Sequence, residues 1–317
     1  MRDQSSRPHV GVAGMRPGLS VLYAAVARAV ICLALLGVPC RARGQSDAPM
    51  QSVHPELRLR VEAPLLAAGA TLLVVGKNLS IARRSVPPGG LDPSDIRWSF
   101  DRGVIGERST RADTQSDYFR DAALAYPMAL AFASQPSGTR VISTLRRSLL
   151  YAEALFVAEG LSKVMKGAID RPRPFTYLPA NQRPNNPAYD VSADHAFQSM
   201  PSGHAISTFC SAGFAMADHL ISRPDASWKE RVGSAFVGGF LAGTTAGLRI
   251  EAGQHFPSDT IAGGLIGTAT GVAVPLVHYY IGPADRRTAL PSGRAWRQAI
   301  LGETVGIAVG ILVAETY

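Results

Sequence analysis

Apolar residues in this chain fall into long blocks, not into alternating positions. After an N-terminal block come six segments, roughly 61–76, 118–134, 146–166, 203–222, 231–249 and 258–281, and a seventh, 299–317, closes the chain. They are rich in Ala, Gly, Leu and Val, and most approach the ~20 residues that cross a bilayer as a helix. None shows the period of two that marks a half-buried strand. The pattern therefore predicts an all-α fold: a membrane-embedded helical bundle of about six core helices. Glu153 and Glu159 interrupt the third segment, and Asp218 and His219 lie near the end of the fourth. In lipid such groups face a bundle interior or a water-filled cavity. A soluble bundle with unusually apolar buried helices is the alternative.

Two polar stretches separate the blocks. Residues 80–117 contain "SVPPGGLDPSD", a turn-rich connector. Residues 175–200 form a loop rich in Asn and Pro, and a loop of that length inside a compact bundle usually has a task, such as covering a site. The expected organisation is an export signal over 1–44, an N-terminal helix and polar connector over 45–117, a catalytic helical core over 118–282, and a tail with an extra apolar helix over 283–317.

Composition and charge refine this picture. Hydrophobic residues make up 46% and charged residues 18% of the chain, apolar for a soluble protein but mild for a multi-span one. The net charge of +8 is unevenly placed, because residues 1–44 hold six Arg against the single acid Asp3 and leave only +3 for the remainder. No nucleic-acid partner is expected on that balance. In the N-terminal block Arg16 and Arg28 flank an apolar stretch, "AVICLALLGVPC" follows, and Ala42 and Gly44 supply small residues before Gln45. That arrangement reads as a cleaved secretory signal, with an uncleaved first helix as the alternative. Cleavage removes Cys32 and Cys40 and leaves Cys210 as a small buried hydrophobe with no disulfide partner.

Three motifs carry candidate chemistry, each at an end of an apolar segment. In "KGAIDRPRPF" Lys166 closes a segment, Arg173 follows after six intervening residues, and Pro172 and Pro174 stop the helix. In "MPSGHAISTF" Ser202 is a good N-cap, Gly203 lets the backbone approach a ligand, and His204 sits in the first turn. Free amides at such a helix start bind anions. In "RIEAGQHFPSD" Arg249 ends a segment, His255 follows after five intervening residues, and Asp259 comes four residues later. A carboxylate there can hold one ring nitrogen of His255 and leave the other free to attack. Each motif alone has a plain structural reading: interface anchors, a satisfied polar residue, an Arg–Asp pair. Together they make a pocket with three cations, amide donors and two histidines, suited to a tetrahedral oxyanion and above all to a phosphate. The sequence offers no Asp/Glu/His cluster for a divalent metal, and no cofactor is expected.

In this order and spacing, Lys166…Arg173-Pro174, Pro201-Ser202-Gly203-His204 and Arg249…His255…Asp259 resemble the signature of the phosphatidic acid phosphatase type 2 / vanadium haloperoxidase superfamily. The resemblance covers about 118–282. Leu248 stands where the family often has Ser before the third-motif Arg. The resemblance implies that His255 attacks phosphorus to give a phosphohistidine, that Asp259 orients His255, and that His204 protonates the leaving oxygen and then activates water. It implies that Lys166, Arg173, Ser202, Gly203 and Arg249 hold the phosphoryl oxygens. The expected function is a metal-independent phosphatase acting on a lipid phosphate or diphosphate at a membrane. A soluble periplasmic acid phosphatase for small phosphomonoesters and a vanadium-dependent haloperoxidase are the alternatives. The resemblance also implies a site facing the periplasm, whereas a plain count of segments after Gln45 puts it on the cytoplasmic side. The two agree if one early segment fails to span, and the segment at 61–76, followed by Lys77, Arg83 and Arg84, is the expected peripheral or re-entrant one.

Overall fold

The computed structural model describes residues 57, 59–79, 85–280 and 291–317. The export signal expected over 1–44, with Cys32 and Cys40, lies outside the described residues. Among the described residues the fold is all-α, as the block pattern predicts. The α-helices are α1 (Leu59–Asn78), α2 (Ser99–Arg102), α3 (Thr110–Ser134), α4 (Arg140–Ile169), α5 (Gly203–Ser222), α6 (Trp228–Glu251), α7 (Pro257–Tyr280) and α8 (Gly293–Ala314). Strand-like pairing among these residues is confined to one isolated bridge between Ile105 and Glu107.

Helix ends follow local chemistry. The Ser109 hydroxyl accepts from Ala112 N and starts α3 eight residues before the apolar segment does. Ser202 caps α5 by accepting from Ala205 N, and Ser227 with Glu230 forms a reciprocal capping box on α6. Helix α4 stops at Ile169 because Asp170 turns left-handed (φ 50°) ahead of Pro172 and Pro174. Helices α3 to α7 run alternately up and down, joined by short turns except between α4 and α5, where the long 170–202 loop makes the connection.

Helices α5 and α6 form the centre, with nearly all of α5 buried. Helix α7 lies along α5 through Gly263, Gly267 and Gly271, where an added Cβ would meet the carbonyl oxygens of Ser202, Ile206 and Cys210. Helix α8 lies along α6 in the same way, with Gly302, Gly306 and Gly310 set against its backbone, so the closing helix is part of the bundle. Small residues let helix backbones approach closely, the usual solution where lipid offers no hydrophobic drive.

Helix α1 packs on α4 in parallel: Gly69 meets Phe156, Gly76 meets Lys163, and Leu79 meets Gly167. The segment expected to be peripheral or re-entrant is a continuous 20-residue helix at the edge of the bundle, packed mainly on α4 with close small-residue contacts from Gly69 onward.

The intrahelical charges turn inward. Asp218 accepts from Arg147 Nη1 at 2.8 Å and from the Tyr279 hydroxyl at 3.1 Å, and Glu153 lies 3.1 Å from His278 Nε2. Several outer faces are apolar instead: Val74 and Val75 on α1, Leu145 and Leu149 on α4, Ile261 and Leu265 on α7, and Leu301 and Leu312 on α8 are exposed. Two helices among the described residues, Pro257–Tyr279 and Gly293–Ala314, are long and apolar enough to cross a membrane.

Candidate active site

Alternating helix direction brings the C-terminal ends of α4 and α6 and the N-terminal ends of α3, α5 and α7 to one face. The three sequence motifs therefore meet. A Cβ at Gly203 would lie 3.1 Å from Lys166 Nζ, Ser202 N donates to the Asp259 carbonyl at 3.0 Å, and His255 N donates to the Arg249 carbonyl at 3.2 Å. The 175–200 loop folds over this face in short 3-10 turns. The Tyr189 hydroxyl donates to Ala252 O at 2.8 Å, and Gln254 Nε2 donates to Ala188 O at 3.1 Å. It covers the site, the task its length suggests.

His255 is almost fully buried, and its Nδ1 lies 2.8 Å from the Ser199 carbonyl oxygen. A carbonyl only accepts, so Nδ1 carries the hydrogen and Nε2 carries the lone pair. Burial holds the pKa of His255 well below the usual imidazole value, and the positive charges of Arg173, Arg249 and Lys166, with His204, add to the effect. The imidazole is thus neutral, with its lone pair on Nε2.

Asp259 sits differently from the sequence expectation. Its nearest oxygen is 3.8 Å from His255 Nδ1. Its carboxylate instead accepts from Ser199 Oγ at 2.5 Å, from Phe256 N at 2.9 Å and from Arg171 Nη1 at 2.5 Å. Ser199 joins the two: its carbonyl takes the imidazole hydrogen and its hydroxyl binds the carboxylate. Arg171 is held in turn by the fully buried Asp101, which also accepts from Ser258 N and Oγ, and its guanidinium lies 4.3 Å over the Phe256 ring.

The cations are buried and only partly satisfied by protein. Arg173 Nη1 donates to Gln254 Oε1, while Arg249 Nη1 donates to Asp113 at 2.5 Å and to Ser116 Oγ at 3.2 Å. The Nε groups of both arginines, and the hydroxyl of the buried Ser162 near Gly203, have no hydrogen-bond partner within the protein. Buried donors are normally paired. Burial and the nearby Arg249 lower Arg173 to about 9, still protonated at neutral pH. Such a site favours a multiply charged anion.

Helix α3 supplies a row that the motif reading missed. Asp113, Ser116, Asp117 and Arg120 fall at i, i+3, i+4 and i+7, one helical stripe, and that spacing was the available signal. Asp113 and Ser116 bind Arg249, while Asp117 and Arg120 contact His204 Nε2 at 2.8 and 3.1 Å. Leu248, the departure from the motif, is fully buried in an apolar cluster with Ala112, Ala252 and Ala314, where a hydroxyl has no role to fill. Among the described residues no group of three or more His, Cys, Asp or Glu is arranged to hold a metal ion.

Compared with known proteins, the chain matches one family model, described as the PAP2 superfamily, over residues 147–283, which include all three motifs. No curated protein and no solved structure matches it.

Proposed function

Residues 147–283 belong to the PAP2 superfamily, and from that premise we propose that the chain is a phosphatase that releases phosphate from a phosphorylated lipid through a phosphohistidine. The observation that carries the reading is the tautomer of His255: Nδ1 donates to Ser199 O, so the Nε2 lone pair lies in the field of Lys166, Arg173 and Arg249. In the first step Nε2 attacks phosphorus and the phosphorus–oxygen bond breaks. Its electron pair stays on the leaving oxygen, which takes a proton from His204. In the second step His204 removes a proton from water as the water oxygen attacks phosphorus. The nitrogen–phosphorus bond breaks, its pair returns to Nε2, and inorganic phosphate leaves. The unpaired Nε donors of Arg173 and Arg249, Lys166, and the Ser202–Gly203 helix start stabilise charge on the phosphoryl oxygens in both steps. Asp259, through Ser199, fixes the imidazole.

A lipid substrate is supported by the exposed Val, Leu and Ile side chains on the outer faces of α1, α4, α7 and α8, since exposed apolar faces mark membrane or partner contacts. We take the bundle to be membrane-embedded and, with an export signal before Gln45 and α1 lying peripherally on α4 without crossing, its site to face the periplasm. We take the catalytic unit to begin with α3 at Thr110, because Asp113 and Asp117 are bonded to two of the motif residues. The test is phosphate release from a lipid phosphate in detergent micelles containing EDTA. His255→Ala should lower turnover by at least about 10³-fold while the helical circular dichroism is kept. Wild-type release by that variant refutes the nucleophile, and loss of wild-type activity in EDTA with recovery in Mg²⁺ refutes the metal-independent pocket.

A further inference from the structure

The α3 stripe meets the active site at one atom. His204 Nε2 lies 2.8 Å from Asp117 Oδ1 and 3.1 Å from Arg120 Nη1, and those two partners lie 2.9 Å from each other. A guanidinium only donates and a carboxylate only accepts. With a proton, Nε2 donates to Asp117; without one, it accepts from Arg120. The same ion pair therefore serves both protonation states of the acid–base histidine.

The charge around His204 is divided. Arg249, Arg173 and Lys166 act on it from α6, the 170–202 loop and α4. The two arginines are buried, at 6% and 8% exposure. The α3 side is more open and of opposite sign: Asp117 and Asp121 are 51% and 63% exposed at the side chain, and Arg120 is shared between them at 2.9 Å each. One Arg against two Asp leaves net −1 where the inner pocket is cationic.

In the reaction proposed above, the leaving oxygen takes the Nε2 proton of His204 in place of Asp117, so the leaving group comes to rest beside Asp117. We infer that Asp117 sets the substrate class, favouring a phosphate monoester over a diphosphate. A monoester places its only charge among the inner cations and departs as a neutral alcohol once protonated. A diphosphate departs as a second phosphate and brings its negative charge against Asp117 and Asp121, a like-charge contact that costs affinity and rate. Asp117 lies outside the matched residues 147–283.

The inference rests on the phosphatase reading, and the experiment separates the two. Full-length protein in detergent is assayed on farnesyl phosphate and farnesyl diphosphate, which share one chain. The wild type should have the higher kcat/KM on the monophosphate. Asp117→Asn, which removes the charge and keeps the shape, should move that ratio toward the diphosphate by about tenfold or more, the equivalent of ~1.4 kcal/mol. Asp117→Glu should keep the wild-type preference. Asp121→Asn, which changes Arg120 without touching His204, should shift the ratio less in the same direction. A merely structural role lowers both rates together and leaves the ratio in place. Wild-type preference for the diphosphate, or turnover with an unchanged ratio in both Asn variants, overturns the inference alone. A wild type that releases phosphate from neither substrate overturns the phosphatase reading, and the inference with it.

Discussion

Replacing Ser199 with Ala separates two contacts that one residue makes. Its carbonyl accepts the His255 Nδ1 hydrogen at 2.8 Å, and its hydroxyl donates to Asp259 at 2.5 Å. The substitution removes only the second. Ser199 and Asp259 are both fully buried, so no water replaces the lost donor. A hydrogen bond to a charged group is worth about 1.5–3 kcal/mol, and leaving a buried carboxylate short of a donor costs a similar amount. Asp259 keeps Arg171 and Phe256 N, which holds the expected loss near ~2 kcal/mol. In a chain of this size that corresponds to a fall in Tm of about 3 °C. Because the carbonyl contact and the tautomer survive, kcat should drop by only about tenfold. The assay is thermal unfolding and phosphate release for Ser199→Ala, Asp259→Asn and the double variant. The two changes should be non-additive in stability, since they remove the same bond. Strict additivity would show that Ser199 does not bind Asp259. Loss of turnover as complete as in His255→Ala would show that the hydroxyl, and not the carbonyl, sets the imidazole.

Further predictions follow from packing, charge and topology. Gly263→Ala places a Cβ 2.7 Å from the Ser202 carbonyl oxygen, so α7 must move off α5 beside the helix start proposed to hold phosphate; stability should fall by about 1–3 kcal/mol, and kcat/KM should fall with it, both measured on the purified variant. His255 is held neutral in the fold, with its pKa depressed, while in the unfolded chain it titrates near ~6.5. Its contribution to stability is therefore full above that pH and lost as pH falls below it, by up to about 1.4 kcal/mol per pH unit, and the slope difference between wild type and His255→Gln measures it. A single Cys at Asn185, in the loop over the site, should react with an impermeant thiol reagent in intact cells if the site faces outward, whereas a Cys at Lys229, at the opposite end of the bundle, should react only after lysis.

The block pattern by itself determined the helical class, and the three motifs by themselves determined the cationic pocket, because both depend on local chemistry. Helix-length apolar runs predict helices wherever they fold, and Lys166, Arg173, His204, Arg249 and His255 stand at helix ends marked by Pro, Ser and Gly. What the sequence left open depends on distance between remote residues. Nothing local to Asp259 says that its carboxylate turns to Ser199 and Arg171 instead of the imidazole four positions earlier; backbone geometry at the start of α7 decides that. Nothing local to 110–120 says that its polar stripe faces inward, because the same spacing suits a solvated face, and only packing of α3 against α5 and α6 brings Asp113 to Arg249 and Asp117 to His204. Propensity and pattern act over a few residues and can be read along the chain. Hydrogen-bond partners and inward faces are settled by which surfaces meet, and that is a property of the assembled bundle.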